Sequence, residues 1–160
     1  MRAIIALSLF FSFSILANGN SSLSKIQILN LISEYKQAPI SETGYAAVKK
    51  IINFAENSKD VLVEVTPETT PWLTHDKVSD PIKGLLLGAY VVGNIEPQLM
   101  LNEKKPQHCS GATEVARVVK LIIRPNAAAE IRLIEQLNKA SLKRYDCSKE
   151  KQNQVLNSAE

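Results

Sequence analysis

His75 and Asp76, with Asp80, Glu64 and Glu68 nearby in the chain, are the residues whose types could do acid–base or metal chemistry. An imidazole beside carboxylates can move protons or ligate a divalent cation. The spacing argues against it, because neither HExxH nor paired CxxC occurs and His75 stands far from His108, the other histidine. Acidic residues in a proline-rich stretch ordinarily face water or cap helices. A thiol nucleophile would be Cys109, with His108 or His75 as its base. Neighbouring side chains on an extended chain point apart, so His108 is poorly aimed at Cys109. No GxSxG nucleophile turn is present, and no Lys-Ser/Thr pair follows Gly84, Gly88 or Gly93 as a phosphate loop requires. The residues therefore predict a chain that is not an enzyme, with no catalytic residue, metal site or cofactor.

What would hold two cysteines in place depends on the compartment, and the N-terminus reports on that. Met1-Arg2 precedes the apolar run AIIALSLFFSFSILA, Ala3 to Ala17, and then the polar Asn18-Gly19-Asn20-Ser21-Ser22. A charged start, an apolar centre and a small-residue exit are the parts of a secretory signal peptide. Cleavage follows Gly19 or comes directly after Ala17. The run is shorter than the roughly 20 residues a spanning helix needs, and Gly84 to Ile95 is shorter still, so the mature chain is expected to lack a transmembrane segment. In a periplasmic or secreted protein, Cys109 and Cys147 most simply pair. Closing a loop of that length contributes about 4 kcal/mol in the chain-entropy model.

Helical periodicity accounts for most of the mature chain. Leu23, Ile26, Leu29, Ile32 and Tyr35, beside Ile28, predict an amphipathic helix capped by Ser21 or Ser22 and ended by Pro39. Ser41 or Thr43 caps a second helix with Tyr45, Val48, Ile51, Ile52 and Ala55 on its apolar face. Asp60 to Thr66 alternates like a short strand, yet no convincing second strand exists to pair with it, so the segment is read as extended or as a short buried helix. Pro67 to Pro81, with three prolines and the single Trp, is the least regular stretch. Ser79-Asp80-Pro81 starts a helix that is apolar all round and should be central in the core, its glycines allowing close packing of a neighbour. Glu96-Pro97 should break or bend it before a short Gln98–Leu101 segment. Lys104 to Gly111 reads as a loop. A fourth helix then turns Val115, Val118, Val119 and Ile122 to one side and Arg117, Lys120 and Arg124 to the other. The last helix, capped by Asn126, carries Ile131, Ile134 and Leu137 inward and Arg132, Lys139 and Lys143 on its outer face.

A 160-residue chain with 45% hydrophobic and 22% charged residues has the composition of one globular domain, not of a repeat, disordered or polytopic membrane protein. A net charge of +3 with 6% aromatic residues gives no reason to expect nucleic acid as a partner. The charge is uneven. Asn20 to Glu103 holds seven Lys and Arg against ten Asp and Glu, while Lys104 to Glu160 holds eleven against six. The C-terminal helices are thus basic and could meet an acidic protein face or lipid headgroups, although such residues are also ordinary on solvated helix surfaces.

Gly84 to Cys147, with the LLLGAYVVGN helix, a cysteine after a short polar connection, the VARVVKLI helix, Arg124-Pro125-Asn126-Ala127-Ala128-Ala129 and a final helix closing on Cys147, resembles the small periplasmic immunity proteins that neutralise type VI secretion amidase effectors. The resemblance implies a helical, disulfide-bearing, exported inhibitor. The chain departs from that pattern in its Val61 to Pro81 region, and no inhibitory contact residue is carried over from the family. The expectation is an all-α, single-domain compact bundle of about five helices with one disulfide: residues 1–19 a cleaved signal peptide, 20–147 the helical domain and 148–160 a disordered tail. It should act as an exported small helical binding protein of the cell envelope. Trp72, on a proline-constrained loop, and Arg117, Lys120, Arg124, Arg132, Lys139 and Lys143 are the expected partner contacts, with core cover as the other reading of Trp72. The competing classes are a hydrolase or metal-dependent enzyme using His75, Asp76 and Asp80, and a protein that binds the envelope surface through its basic helices.

Overall fold

The computed structural model describes residues 23–122 and 127–147. The expected signal peptide, Arg124, the Asn126 cap and the C-terminal tail lie outside the described residues. Five helices follow one another: α1 (Lys25–Gln37), α2 (Glu42–Asn57), α3 (Asp80–Leu101), α4 (His108–Val119) and α5 (Ala128–Arg144). Among the described residues there is no strand, and no helix is long and apolar enough to cross a membrane. α3 packs against α1, α2 and α4, and α5 packs against α4. The expected all-α bundle around an apolar central helix is what forms.

The starts of α1 and α2 have a local cause, and that of α3 a distant one. Ser24 caps α1 in a capping box with Gln27, two or three residues later than the expected Ser22 or Ser21, because only at Ser24 is a Gln available three residues on to return the bond to the cap. Ile28, Ile32 and Tyr35 then face inward, and Ile26, expected on that face, is exposed. Ser41 caps α2 by accepting from the Gly44 N–H. Ile51 and Ala47 are buried there, whereas Tyr45 lies on the outside. At α3 the side chain of Ser79 makes no capping bond, and the Ser79 N–H donates instead to the Glu130 carboxylate at the start of α5, 2.6 Å away. A distant carboxylate at a helix N-terminus serves the same unpaired donors and the same positive dipole end as a local cap.

The expected break at Glu96-Pro97 does not occur. α3 runs through Pro97 to Leu101, where Asn102 adopts a left-handed conformation (φ 54°) and ends it. Proline in a helix interior costs about 3 kcal/mol through a missing hydrogen bond and a clash with the carbonyl four residues back. Here Ile95, Gln98 and Leu99 on either side are buried, and their packing holds the helix together across the lost bond. The expected Lys104–Gly111 loop is also shorter than read, since α4 begins at His108 and takes Cys109, Ser110 and Gly111 into its first turn.

Glycines set how closely the helices approach. A Cβ on Gly88 would lie 2.7 Å from Val48 Cγ2 of α2, and one on Gly93 would lie 2.6 Å from the Ser110 carbonyl oxygen and 3.0 Å from the Gly111 Cα of α4. The expected close packing is therefore realised at these two positions. Gly84 faces open space.

Asp60 to Thr66 is neither helical nor paired with a partner strand. The Gln98 carboxamide takes the partner's place, its Oε1 accepting from the Leu62 N–H and its Nε2 donating to the Leu62 carbonyl, both at 2.9 Å. One side chain so supplies the two bonds that a neighbouring strand would have made. Gln98 Nε2 also donates to Asn94 Oδ1, which accepts from the Gln107 N–H ahead of α4. Two buried carboxamides on a mainly apolar helix thus tie the irregular segment to α3 and α3 to the start of α4.

Candidate functional site

Cys109 and Cys147 form a disulfide with a Cα–Cα separation of 5.3 Å. Its sulfurs belong to residues that are nearly fully buried, and the pairing removes Cys109 as a nucleophile. The first turn of α4 is thereby joined to the turn that follows α5.

Around this bond the structure collects groups that lie far apart in the chain. His108 Nδ1 is 2.7 Å from the Tyr90 hydroxyl, and His108 Nε2 is 3.5 Å from Glu64 Oε2, an ion pair whenever the ring carries its second proton. The Tyr90 hydroxyl also lies 3.2 Å from the Glu64 carbonyl, which can accept its proton. The ring of Tyr145 lies against His108 at 4.6 Å between centroids, tilted by 36°. Carboxylate, imidazole and phenol in series have the composition of an acid–base relay. Their placement is that of a clamp: Tyr90 is buried, burial pushes its hydroxyl up to about 12, and both ring nitrogens of His108 already have neighbours. The clamp ties the irregular segment to α3, α4 and the C-terminal turn. Sequence reading placed Glu64 with His75 and had no signal that would assign it to His108.

His75, Asp76 and Asp80 are not brought together. His75 Nδ1 accepts from the Lys77 N–H within its own turn, and Asp80 lies near Lys83 one turn along α3. Among the described residues, no group of three or more His, Cys, Asp or Glu is placed to hold a metal ion. Glu68, also considered with His75, is an exposed carboxylate held below its usual range chiefly by the Thr66 hydroxyl.

Trp72 is corrected from a partner contact to a core residue. Its side chain is completely buried, among the largest in the interior. The Pro67–Pro81 stretch turns it inward because the loop is anchored: Thr69 and Thr70 donate back to the Thr66 carbonyl, and Ser141 Oγ of α5 donates to the carbonyls of Glu68 and Thr69. With the loop held there, burying the large indole is worth more than leaving it in water.

The basic residues separate into two groups. Arg117 is not a free cation, because its guanidinium grips the buried Glu114 carboxylate at two points, Nε to Oε2 at 2.9 Å and Nη2 to Oε1 at 2.6 Å. That contact raises the Arg117 guanidinium further and keeps a buried charge paired. Beside it, Tyr35 is buried with its hydroxyl unpartnered among the described residues, and burial raises it strongly. Lys36 pairs with Glu96 across α1 and α3. Lys120 is exposed at the end of α4. Arg132, Lys139 and Lys143 are exposed on α5, on one face by their spacing.

The inner face of α5 holds the helix that carries those three to the rest of the bundle. Ile134 is buried and Ile131 and Leu137 pack half-buried against the core, as expected, and two polar residues join them: Asn138 Nδ2 donates to the Ala112 carbonyl of α4, and Ser141 makes the loop contacts above. Asn138 and Ser141 were not singled out by the sequence reading, which followed apolar residues alone. Their spacing of four and seven from Ile134 was the available signal. No family model, curated protein or solved structure matches this chain.

Proposed function

We propose that this chain is an exported helical binding module of the cell envelope, of inhibitor or immunity type, that acts by holding an acidic protein surface and not by catalysis. The observation that carries the reading is α5. Its inner face is bonded to backbone carbonyls of α4 and of the 66–70 loop, its first turn meets the start of α3 through Glu130, and Cys147 just beyond it is disulfide-bonded. Its outer face carries Arg132, Lys139 and Lys143 exposed. A helix already anchored to the bundle need not be ordered on binding, which favours recognition of a complementary surface by the side chains it carries. The disulfide and the signal-like N-terminus support an oxidising compartment.

The test is affinity capture from envelope and secreted fractions, comparing the wild-type chain with the triple variant Arg132→Glu, Lys139→Glu, Lys143→Glu. The expected result is one stoichiometric protein partner, with affinity lowered on the order of tenfold or more in the variant and falling with added salt. Equal recovery by a variant with unchanged circular dichroism would move the contact off α5. Absence of any stoichiometric partner would overturn the binding reading.

A further inference from the structure

Four large apolar side chains that remain exposed belong to the end of the bundle where α1 begins and α3 ends. Ile26, Met100 and Leu101 are 71%, 66% and 60% exposed, and Leu62 is 41% exposed. Two contacts bring these segments to one place. Lys25 Nζ donates to Asn102 Oδ1 at 2.5 Å, joining the first turn of α1 to the cap of α3. Leu62 is bonded through its backbone to Gln98, one turn before Leu101. The Glu103 N–H turns back to the Gln98 carbonyl, so α3 stops here with Met100 and Leu101 in its last turn.

Charge at this end is mainly positive. Lys25, Lys104 and Lys105 are exposed, against the single carboxylate of Glu103 in the same turn. Apolar side chains at a tip with ammonium groups on flexible stems beside them suit the boundary between acyl chains and anionic headgroups. The order of the chain points the same way. The apolar run ends at Ala17, and the short stretch from there to Leu23 spans at most about 20 Å even when fully extended. In the full chain before the expected cleavage, while that run is held in a membrane, the start of α1 is the part of the domain kept closest to lipid.

We propose that this end of the bundle docks on an anionic phospholipid bilayer, with Met100, Leu101 and Ile26 entering the interface and Lys25, Lys104 and Lys105 meeting the headgroups. The assignment does not rest on the partner proposed for α5, whose first turn meets the opposite end of α3 at Ser79.

The test uses the full chain with vesicles of phosphatidylcholine alone and of phosphatidylcholine with one quarter phosphatidylglycerol, read by flotation and by residue-resolved mass spectrometry. Peroxide oxidation reports on Met100, and amine acylation reports on the lysines. On the anionic vesicles, modification of Met100, Lys104 and Lys105 should slow by about fivefold, while Lys139 and Lys143 react as in solution. In the Met100→Ser, Leu101→Ser variant the chain should still float through its apolar run, yet Lys104 and Lys105 should return to their solution rates. A wild-type chain that floats while Met100 and these lysines react at solution rates binds through Ala3–Ala17 alone and overturns the proposal. Protection of Lys139 and Lys143 in their place overturns it too, by assigning lipid to α5, as does failure to float.

Discussion

Tyr90 shows how one buried hydroxyl can join four parts of the molecule. It lies in α3, meets His108 of α4 and the backbone of the irregular segment at Glu64, and through His108 it sits one ring away from Tyr145. The phenol is favoured in its neutral form, because burial raises its titration from 10.0 to about 12. A raised value in the folded state means that this contribution to stability is complete below pH 10 and is lost as pH climbs toward 12. Tyr35 moves in the same direction for the same reason. Urea midpoints should therefore fall across this alkaline window in the wild-type chain. Tyr90→Phe should show a shallower fall, with stability near neutral pH lower by about 1 kcal/mol for the lost hydrogen bonding. An identical alkaline slope in the two proteins would show that Tyr90 does not carry the effect.

Helix packing turns on small residues whose roles differ although their type is the same. At Gly93 an added Cβ meets backbone of α4, the Ser110 carbonyl oxygen and the Gly111 Cα, which cannot rotate away. Gly93→Ala should destabilise by about 1–3 kcal/mol as α3 and α4 are pushed apart. At Gly84 the added methyl meets nothing within 4 Å. Gly84→Ala should stabilise by up to about 1 kcal/mol through helix propensity alone. Opposite signs in urea denaturation are the expected result, and a loss at both sites would refute this account of the α3–α4 contact. Pro97 belongs to the same scale, since a residue that ends most helices is carried inside α3 by the packing of Ile95, Gln98 and Leu99.

For the molecule as a whole, the Cys109–Cys147 bond closes a loop of 38 positions around α4 and α5. Replacing both cysteines by serine should lower stability by about 4 kcal/mol in the chain-entropy model. Helix content should be kept, because α5 is also held by Asn138, Ser141 and Glu130. Amide exchange in the last turn of α5 should rise more than in α3. Uniform acceleration through all five helices would instead make the disulfide a condition for the bundle itself. The cationic face of α5 and the apolar tip of α1 and α3 sit on different elements, so a protein partner and a bilayer need not compete for one surface.

The sequence by itself determined the helical class, the centrality of α3 and the pairing of the two cysteines. Each of these follows from local periodicity, from a helix with almost no polar face, or from having just two thiols to pair. Cap positions were legible to within a turn where a side-chain oxygen and its partner lie close in the chain, as at Ser41 and, with the Gln27 return bond, Ser24. Tertiary structure alone decided that Glu64 meets His108, that Gln98 stands in for a β-strand, that Glu130 caps α3 and that Trp72 turns inward. None of these depends on spacing along one element. Each is fixed by which donors and acceptors, of backbone or side chain, and which apolar surfaces remain unsatisfied after the helices have packed.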